Sequence, residues 1–213
     1  MFDKIRASSD ERGEDFMFKK FAKICVDSIF AGIMISVGVI IYLNCSNKIV
    51  GAFLFSLGLL TIMAFGFNLY TGKVGNVRKP KDIPYILTVL IMNAVGCLLM
   101  FAFPTQGAAD VMAAKLACPL GYVFGKAIVC GLIIYICVEQ KKNPYFTIIG
   151  IPAFILCGAE HSIADICFVF ASRHISWQEI GFLLVVALGN AVGALIPSIW
   201  LEKRSLLDDN QQK

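Results

Sequence analysis

Charged side chains are few. Asp, Glu, Lys and Arg make up 16% of the 213 residues, where a soluble domain carries about 25%. So little charge excludes an ordinary water-soluble globule. Histidine occurs twice, at His161 and His174, and none of the eight cysteines falls in a Cys-x-x-Cys. That leaves no metal-ligand spacing and no disulfide framework. Most of Cys25, Cys45, Cys97, Cys118, Cys130, Cys137, Cys157 and Cys167 sit inside apolar runs and read as small packing residues. Neither glycine-rich phosphate-binding pattern is present, and no Ser-His-Asp arrangement is evident, so nucleotide-dependent and hydrolytic chemistry have no motif to stand on. No cofactor is expected, and the chain does not read as an enzyme. The first twenty residues lack the apolar core and small-residue cleavage site of a signal peptide. The net charge of +4 is not gathered into a basic patch interleaved with aromatics, which argues against nucleic acid as a partner.

What the chain has is apolar length. Hydrophobic residues reach 58% and the mean hydropathy is +0.75. A bilayer-spanning helix takes about twenty such residues. Apolar runs of that kind lie at 22–44, 49–70, 84–104, 118–138, 145–171 and 179–201. This predicts an all-α membrane protein with one six-span domain over 21–202, a lead at 1–20 and a tail at 203–213. Phe16, Phe18, Phe21 and Ala22 could lay an apolar stripe of that lead along the membrane surface. Basic residues gather on one side: Lys4, Arg6, Arg12, Lys19, Lys20 and Lys23 before the first span, Lys73, Arg78, Lys79 and Lys81 after the second, Lys141 and Lys142 after the fourth, and Lys203, Arg204 and Lys213 in the tail. Lys48, Lys115 and Arg173 fall on the other. By the positive-inside rule both termini are cytoplasmic, in an inner-membrane, multi-pass arrangement.

The chain repeats itself. Asn93-Ala94-Val95-Gly96 recurs as Asn190-Ala191-Val192-Gly193. Each half also has an apolar run interrupted after a glycine, at Gly66-Phe67-Asn68-Leu69-Tyr70-Thr71 and at Gly158-Ala159-Glu160-His161-Ser162. Interrupted helices at matching places in two halves mark a binding or conduction site between inverted repeats. His161, inside an apolar run and beside Glu160, is the leading candidate, because ionisable groups within a membrane face the bundle interior or a water-filled path. Histidine also exchanges protons near neutral pH. Thr71, a small hydroxyl at the other break, is positioned to meet it. Glu160 reads equally as an acceptor orienting other groups and as a structural residue. Asn93 and Asn190 read first as inter-helix hydrogen-bonding amides, with Asn190 able to orient the imidazole. Lys115, just outside the fourth span, would draw anions into an outer vestibule. Lys126, within that span, reads as snorkelling or paired, and His174 as a solvated loop residue.

At these residues the chain resembles the formate–nitrite transporter family. Gly158-Ala159-Glu160-His161-Ser162-Ile163-Ala164-Asp165 is similar to its G-x-E-H-S-I-A-N signature. Phe55-Ser56-Leu57-Gly58-Leu59 with Gly66-Phe67-Asn68-Leu69-Tyr70-Thr71 is similar to F-S-L-G-L followed by G-x-D-L-F-T. Gly189-Asn190-Ala191-Val192-Gly193 resembles the closing G-N-x-x-G, and Ala31-Gly32 with Ile35-Ser36 the first-span A-G-x-x-I-S. The resemblance covers nearly all of 20–202. It implies an aquaporin-like fold with broken second and fifth helices, and a homopentamer with one pore per protomer. His161 would be the pore histidine and Thr71 the looped threonine. Phe55, Phe154, Leu59, Leu69 and Tyr70 would form the apolar constrictions, Lys115 would be the vestibular lysine, and Asn190 the last-span asparagine. Three residues depart from the pattern: Asn68 replaces an aspartate, Tyr70 replaces a phenylalanine, and Gly131 stands where a pore-facing asparagine is common. The last would widen the pore and relax formate selectivity. The expected function is a channel or transporter for small monovalent anions, formate and nitrite first, then hydrosulfide, acetate or lactate. The substrate would cross as, or nearly as, its neutral acid with help from His161. A passive pore for neutral solutes and a non-transporting membrane scaffold are the competing readings.

Overall fold

The computed structural model describes the backbone of residues 2–101 and 105–211, and the side chains of 15–101, 105–205 and 207. The side chains of Lys4, Arg6, Arg12 and Lys213, and the end of the third predicted span at 102–104, lie outside the described residues. All regular structure among the described residues is helical. Helix α1 (Phe2–Asn44) continues without interruption from the lead into the first span. Helix α2 (Lys48–Phe65) returns, starting at Asn47, whose side chain accepts from the Ile49 and Val50 amides at 3.0 and 3.2 Å. A short α3 (Tyr70–Lys73) follows a break, and α4 (Ile83–Met100) crosses back. The connecting helix α5 (Ala108–Leu116) leads into the second half: α6 (Leu120–Glu139), α7 (Tyr145–Leu156), a second break, α8 (Ser162–Ser172) and α9 (Trp177–Gln211).

Five helices are long and apolar enough to cross a membrane, over Asp15–Asn44, Lys48–Phe65, Pro80–Met100, Leu120–Glu139 and Trp177–Ser205. The predicted fifth span is, as expected, broken into the pair α7 and α8, neither long enough to cross alone. Chain direction then makes the two halves inverted. Taking the side of Lys48, Lys115 and Arg173 as the outer side, helix α2 descends from it, breaks, and continues toward the opposite side as α3. Helix α7 rises from the opposite side, breaks, and continues outward as α8.

Each half is closed by one helix pair, α1 with α4 and α6 with α9. Small residues allow these backbones to touch. A Cβ on Gly96 would strike the Ile29 carbonyl, and one on Gly193 would strike the Ile128 carbonyl. A Cβ on Gly32 would strike the Asn93 carbonyl, and one on Gly131 the Asn190 carbonyl. The expectation that Gly131 widens the pore is therefore corrected. It is the symmetry mate of Gly32, pressed against α9, and an asparagine there would force α6 and α9 apart. The buried core runs between the halves through Ile35, Val39, Leu59, Val89, Val123, Ile134, Ile163 and Val186. Large apolar side chains such as Leu54, Leu57, Ile91, Leu99, Leu184 and Leu188 face outward, as a lipid-bathed surface requires.

Candidate functional site: a histidine at the join of two half-helices

Both breaks begin with a glycine in the left-handed region, Gly66 at φ 72° and Gly158 at φ 70°, where a side chain would add strain. Each ends four residues later at the first residue of a half-helix, Tyr70 or Ser162. Irregular backbone inside a membrane protein must have its polar groups satisfied by protein. The repeated asparagines do this in the same way. Asn93 Oδ1 accepts from the Tyr70 amide at 2.9 Å, while its Nδ2 donates to the Asn68 carbonyl at 2.9 Å and the Ser28 carbonyl on α1 at 2.7 Å. Asn190 Oδ1 accepts from the Ser162 amide at 2.8 Å, while its Nδ2 donates to the Glu160 carbonyl and the Ala127 carbonyl on α6, both at 2.8 Å. Both asparagines are wholly buried. One amide thus clamps a broken strand to the first helix of its own half. Asn190 holds backbone and makes no bond to the imidazole, so the expectation that it orients the ring is replaced by an indirect one: it fixes the residues on either side of it.

His161 is the N-cap of α8. Its Nδ1 accepts from the Ala164 amide at 3.1 Å, and its Nε2 lies 3.0 Å from Thr71 Oγ1. An acceptor Nδ1 carries no proton, so in the neutral ring the hydrogen sits on Nε2 and is donated to Thr71. The threonine hydroxyl then keeps its own hydrogen for another acceptor. Both side chains are buried, and Phe154 stacks on the imidazole with ring centroids 5.8 Å apart. Phe55 meets Phe154 edge-on at 6.3 Å.

One cavity is lined by His161 itself, and a second opens beside Leu69 and Gly72, which flank Tyr70 and Thr71 in the chain. The outer one, about 310 Å³, is lined by Phe55, Lys115, Lys126, Phe154, Glu160 and His161 among others. The inner one, about 180 Å³, is lined by Ile62, Phe67, Leu69, Gly72, Lys73 and Lys141 among others. Leu59 lines neither and lies in the wholly buried core. Tyr70 also lines neither: its hydroxyl donates to the Ala187 carbonyl on α9 at 3.0 Å. It belongs to helix packing and is withdrawn from the constriction, because residues next in sequence at an extended break point to opposite sides.

Lys115 does not stand free in the vestibule. It pairs with Glu160 Oε2 and with Asp165 Oδ1, the latter at 2.9 Å, and lies 5.5 Å from the centre of the Phe168 ring. Lys126 Nζ approaches Glu160 Oε1 at 3.8 Å. No motif in the sequence singles out Asp165, although it lies one helical turn after His161 and so on the same face of α8. Its Oδ2 is buried with no hydrogen-bond partner. His174 is exposed and pairs with Glu179 at 2.7 Å, remote from this cluster. No group of three metal-ligating side chains occurs among the described residues.

The formate/nitrite transporter family matches residues 2–201. The chain belongs to this family. Its members' role as small-anion channels and transporters is thereby that of this chain, which is a multi-pass membrane protein and not an enzyme. Among solved structures, a pentameric formate channel with formate bound aligns with TM-score 0.73 at 19% identity, covering 88% of this chain and 98% of that one. An FNT family ion channel aligns at TM-score 0.70 and 21% identity, covering 81% and 86%. At these identities the likeness is one of fold, and the broken, inverted-repeat architecture is shared. A partial match, 36% identical over 90 residues, runs to a probable lipid II flippase MurJ of Helicobacter pylori. It covers 40% of this chain and spans 18% of that protein's length.

Proposed function

We propose that the chain carries formate, nitrite or a similarly small weak-acid anion from the outer to the inner cavity past His161 and Thr71, coupled to a proton. The observation that carries this reading is the 3.0 Å Nε2–Oγ1 contact between His161, which lines the outer cavity, and Thr71, the chain neighbour of Gly72 in the inner one. A bare anion entering a path walled by Phe55, Phe154 and Leu69 loses hydration worth several kcal/mol or more. The spare Thr71 hydrogen, and the Nε2–H once it turns from Thr71 to the anion, are the donors that replace water there, and their pull on the anion eases its crossing as a neutral or nearly neutral acid. Hydrosulfide, acetate and lactate follow as substrates, with the larger ones limited by the Phe55–Phe154 edge contact. The likeness to a pentameric channel supports a homopentamer, each protomer with its own pore. The distribution of basic residues supports an inner-membrane location with both termini cytoplasmic.

The test is His161→Asn in proteoliposomes. The expected result is an assembled oligomer in which acid-stimulated formate and nitrite uptake falls at least 10-fold. Unchanged uptake at every pH would refute the mechanism. Planar-bilayer recording separates the competing pore for neutral solutes, which would carry no formate current.

A further inference from the structure

The outer cavity holds two lysines, and they are not equivalent. The two are almost equally exposed, at 18% and 22%, but Lys115 is committed: Glu160 and Asp165 take two of its donors and Phe168 lies over it. Lys126 is held loosely. Its nearest carboxylate oxygen is at 3.8 Å, beyond the range of a good hydrogen bond. The Tyr122 ring supports it from one side at 4.9 Å. On another side stands Gly158, where an added Cβ would sit 3.6 Å from Nζ. The missing side chain at the break therefore leaves the ammonium facing the cavity that His161 also lines.

Resting on the transport reading above, we propose that Lys126 is the residue that receives the incoming anion in the outer cavity, and that Asp165 is what removes Lys115 from that role. The ligand class is a compact monovalent anion that can pair with a single ammonium. Lys126 would then set apparent affinity, while His161 and Thr71 set the rate of crossing.

Two readouts on the full-length protein in liposomes test this. The first is uptake of formate and nitrite. Lys126→Gln is expected to raise the apparent KM about fivefold with little change in maximal rate. The difference should shrink in high salt, as surface fields do, and Lys126→Arg should retain affinity. Asp165→Asn returns charge to Lys115, so the double variant Lys126→Gln/Asp165→Asn should recover most of the loss. The second readout needs no transport. Cys118 lines the same cavity, and its labelling by sulfonate-bearing and trimethylammonium-bearing methanethiosulfonates, read by peptide mass spectrometry, reports local potential. Lys126→Gln should lower the sulfonate preference at least threefold, and Asp165→Asn should raise it. A wild-type KM and unchanged labelling in Lys126→Gln would overturn the proposal, as would a loss that Asp165→Asn fails to relieve. Labelling that follows expectation while no variant carries any anion would sink the transport reading and leave the charge assignment standing.

Discussion

The two breaks share a frame and differ in what fills it. Each has a left-handed glycine, three non-helical residues of which the last is extended, a half-helix and a buried asparagine clamp, with bond lengths that agree to about 0.1 Å. At the inner break the residues between glycine and half-helix are Phe67, Asn68 and Leu69, backed by stacked rings of Phe30, Phe65 and Phe67. At the outer break they are Ala159, Glu160 and His161, surrounded by Lys115, Lys126 and Asp165. Register pairs Asn68 with Glu160 and Leu69 with His161. The scaffold is therefore indifferent to charge. Symmetry builds the bends, and departure from symmetry builds the chemistry.

The largest effect should come from emptying the outer charge cluster. Lys115→Met leaves two buried carboxyl groups without a full cation, which costs about 3–5 kcal/mol when a buried pair is broken. Little folded protein should elute on size exclusion after mild heating. Adding Glu160→Gln and Asp165→Asn should restore it, and a stable single variant would show that the cluster is not what holds α5 to α8. Next come the clamps. Asn190→Ala and Asn93→Ala each orphan buried backbone groups, for about 2–4 kcal/mol. If the frame is truly shared, their thermal shifts agree within about 1 kcal/mol, while transport suffers more from the outer one. A large mismatch in stability breaks the equivalence of the halves. Gly131→Asn should lower oligomer yield about as much as Gly32→Asn does, since each drives a side chain into a neighbouring backbone. An unaffected Gly131→Asn would return that residue to the pore. Smallest in stability is Thr71→Ala, about 1 kcal/mol for one lost hydrogen bond, yet it should slow formate uptake roughly 10-fold, as positioned proton-transfer partners do. Thr71→Ser should leave uptake near wild type, and equal rates for the two variants would remove the hydroxyl from the path.

Much of this was legible in the residues because two signals are strong. Apolar runs of bilayer length give the spans, and the duplicated Asn-Ala-Val-Gly with two glycine-led interruptions gives the repeat. Glu160, His161, Thr71, Lys115, Phe55 and Phe154 were named from sequence, and the structure gathers them around one cavity and its floor. Direction was not legible. Around an extended break, neighbouring side chains diverge, so Leu69 reaches the inner cavity while Tyr70 turns to α9. Nor was partnership. Lys115, Lys126 and Asp165 lie on three helices, and only their packing reveals which lysine is tied to two carboxylates and which is held loosely. Gly131 misled because a small residue reads alike as a hole in a pore and as a seat for a backbone.

One consequence follows from His161 starting a helix. The lone pair that receives the Ala164 amide is the one an extra proton would need. The ring can either anchor the first turn of α8 or become imidazolium in that pose, and never both at once. Acidifying the passage and loosening its doorpost are therefore a single equilibrium: whatever steadies the neutral ring tightens the helix, and whatever charges it frees the turn to shift.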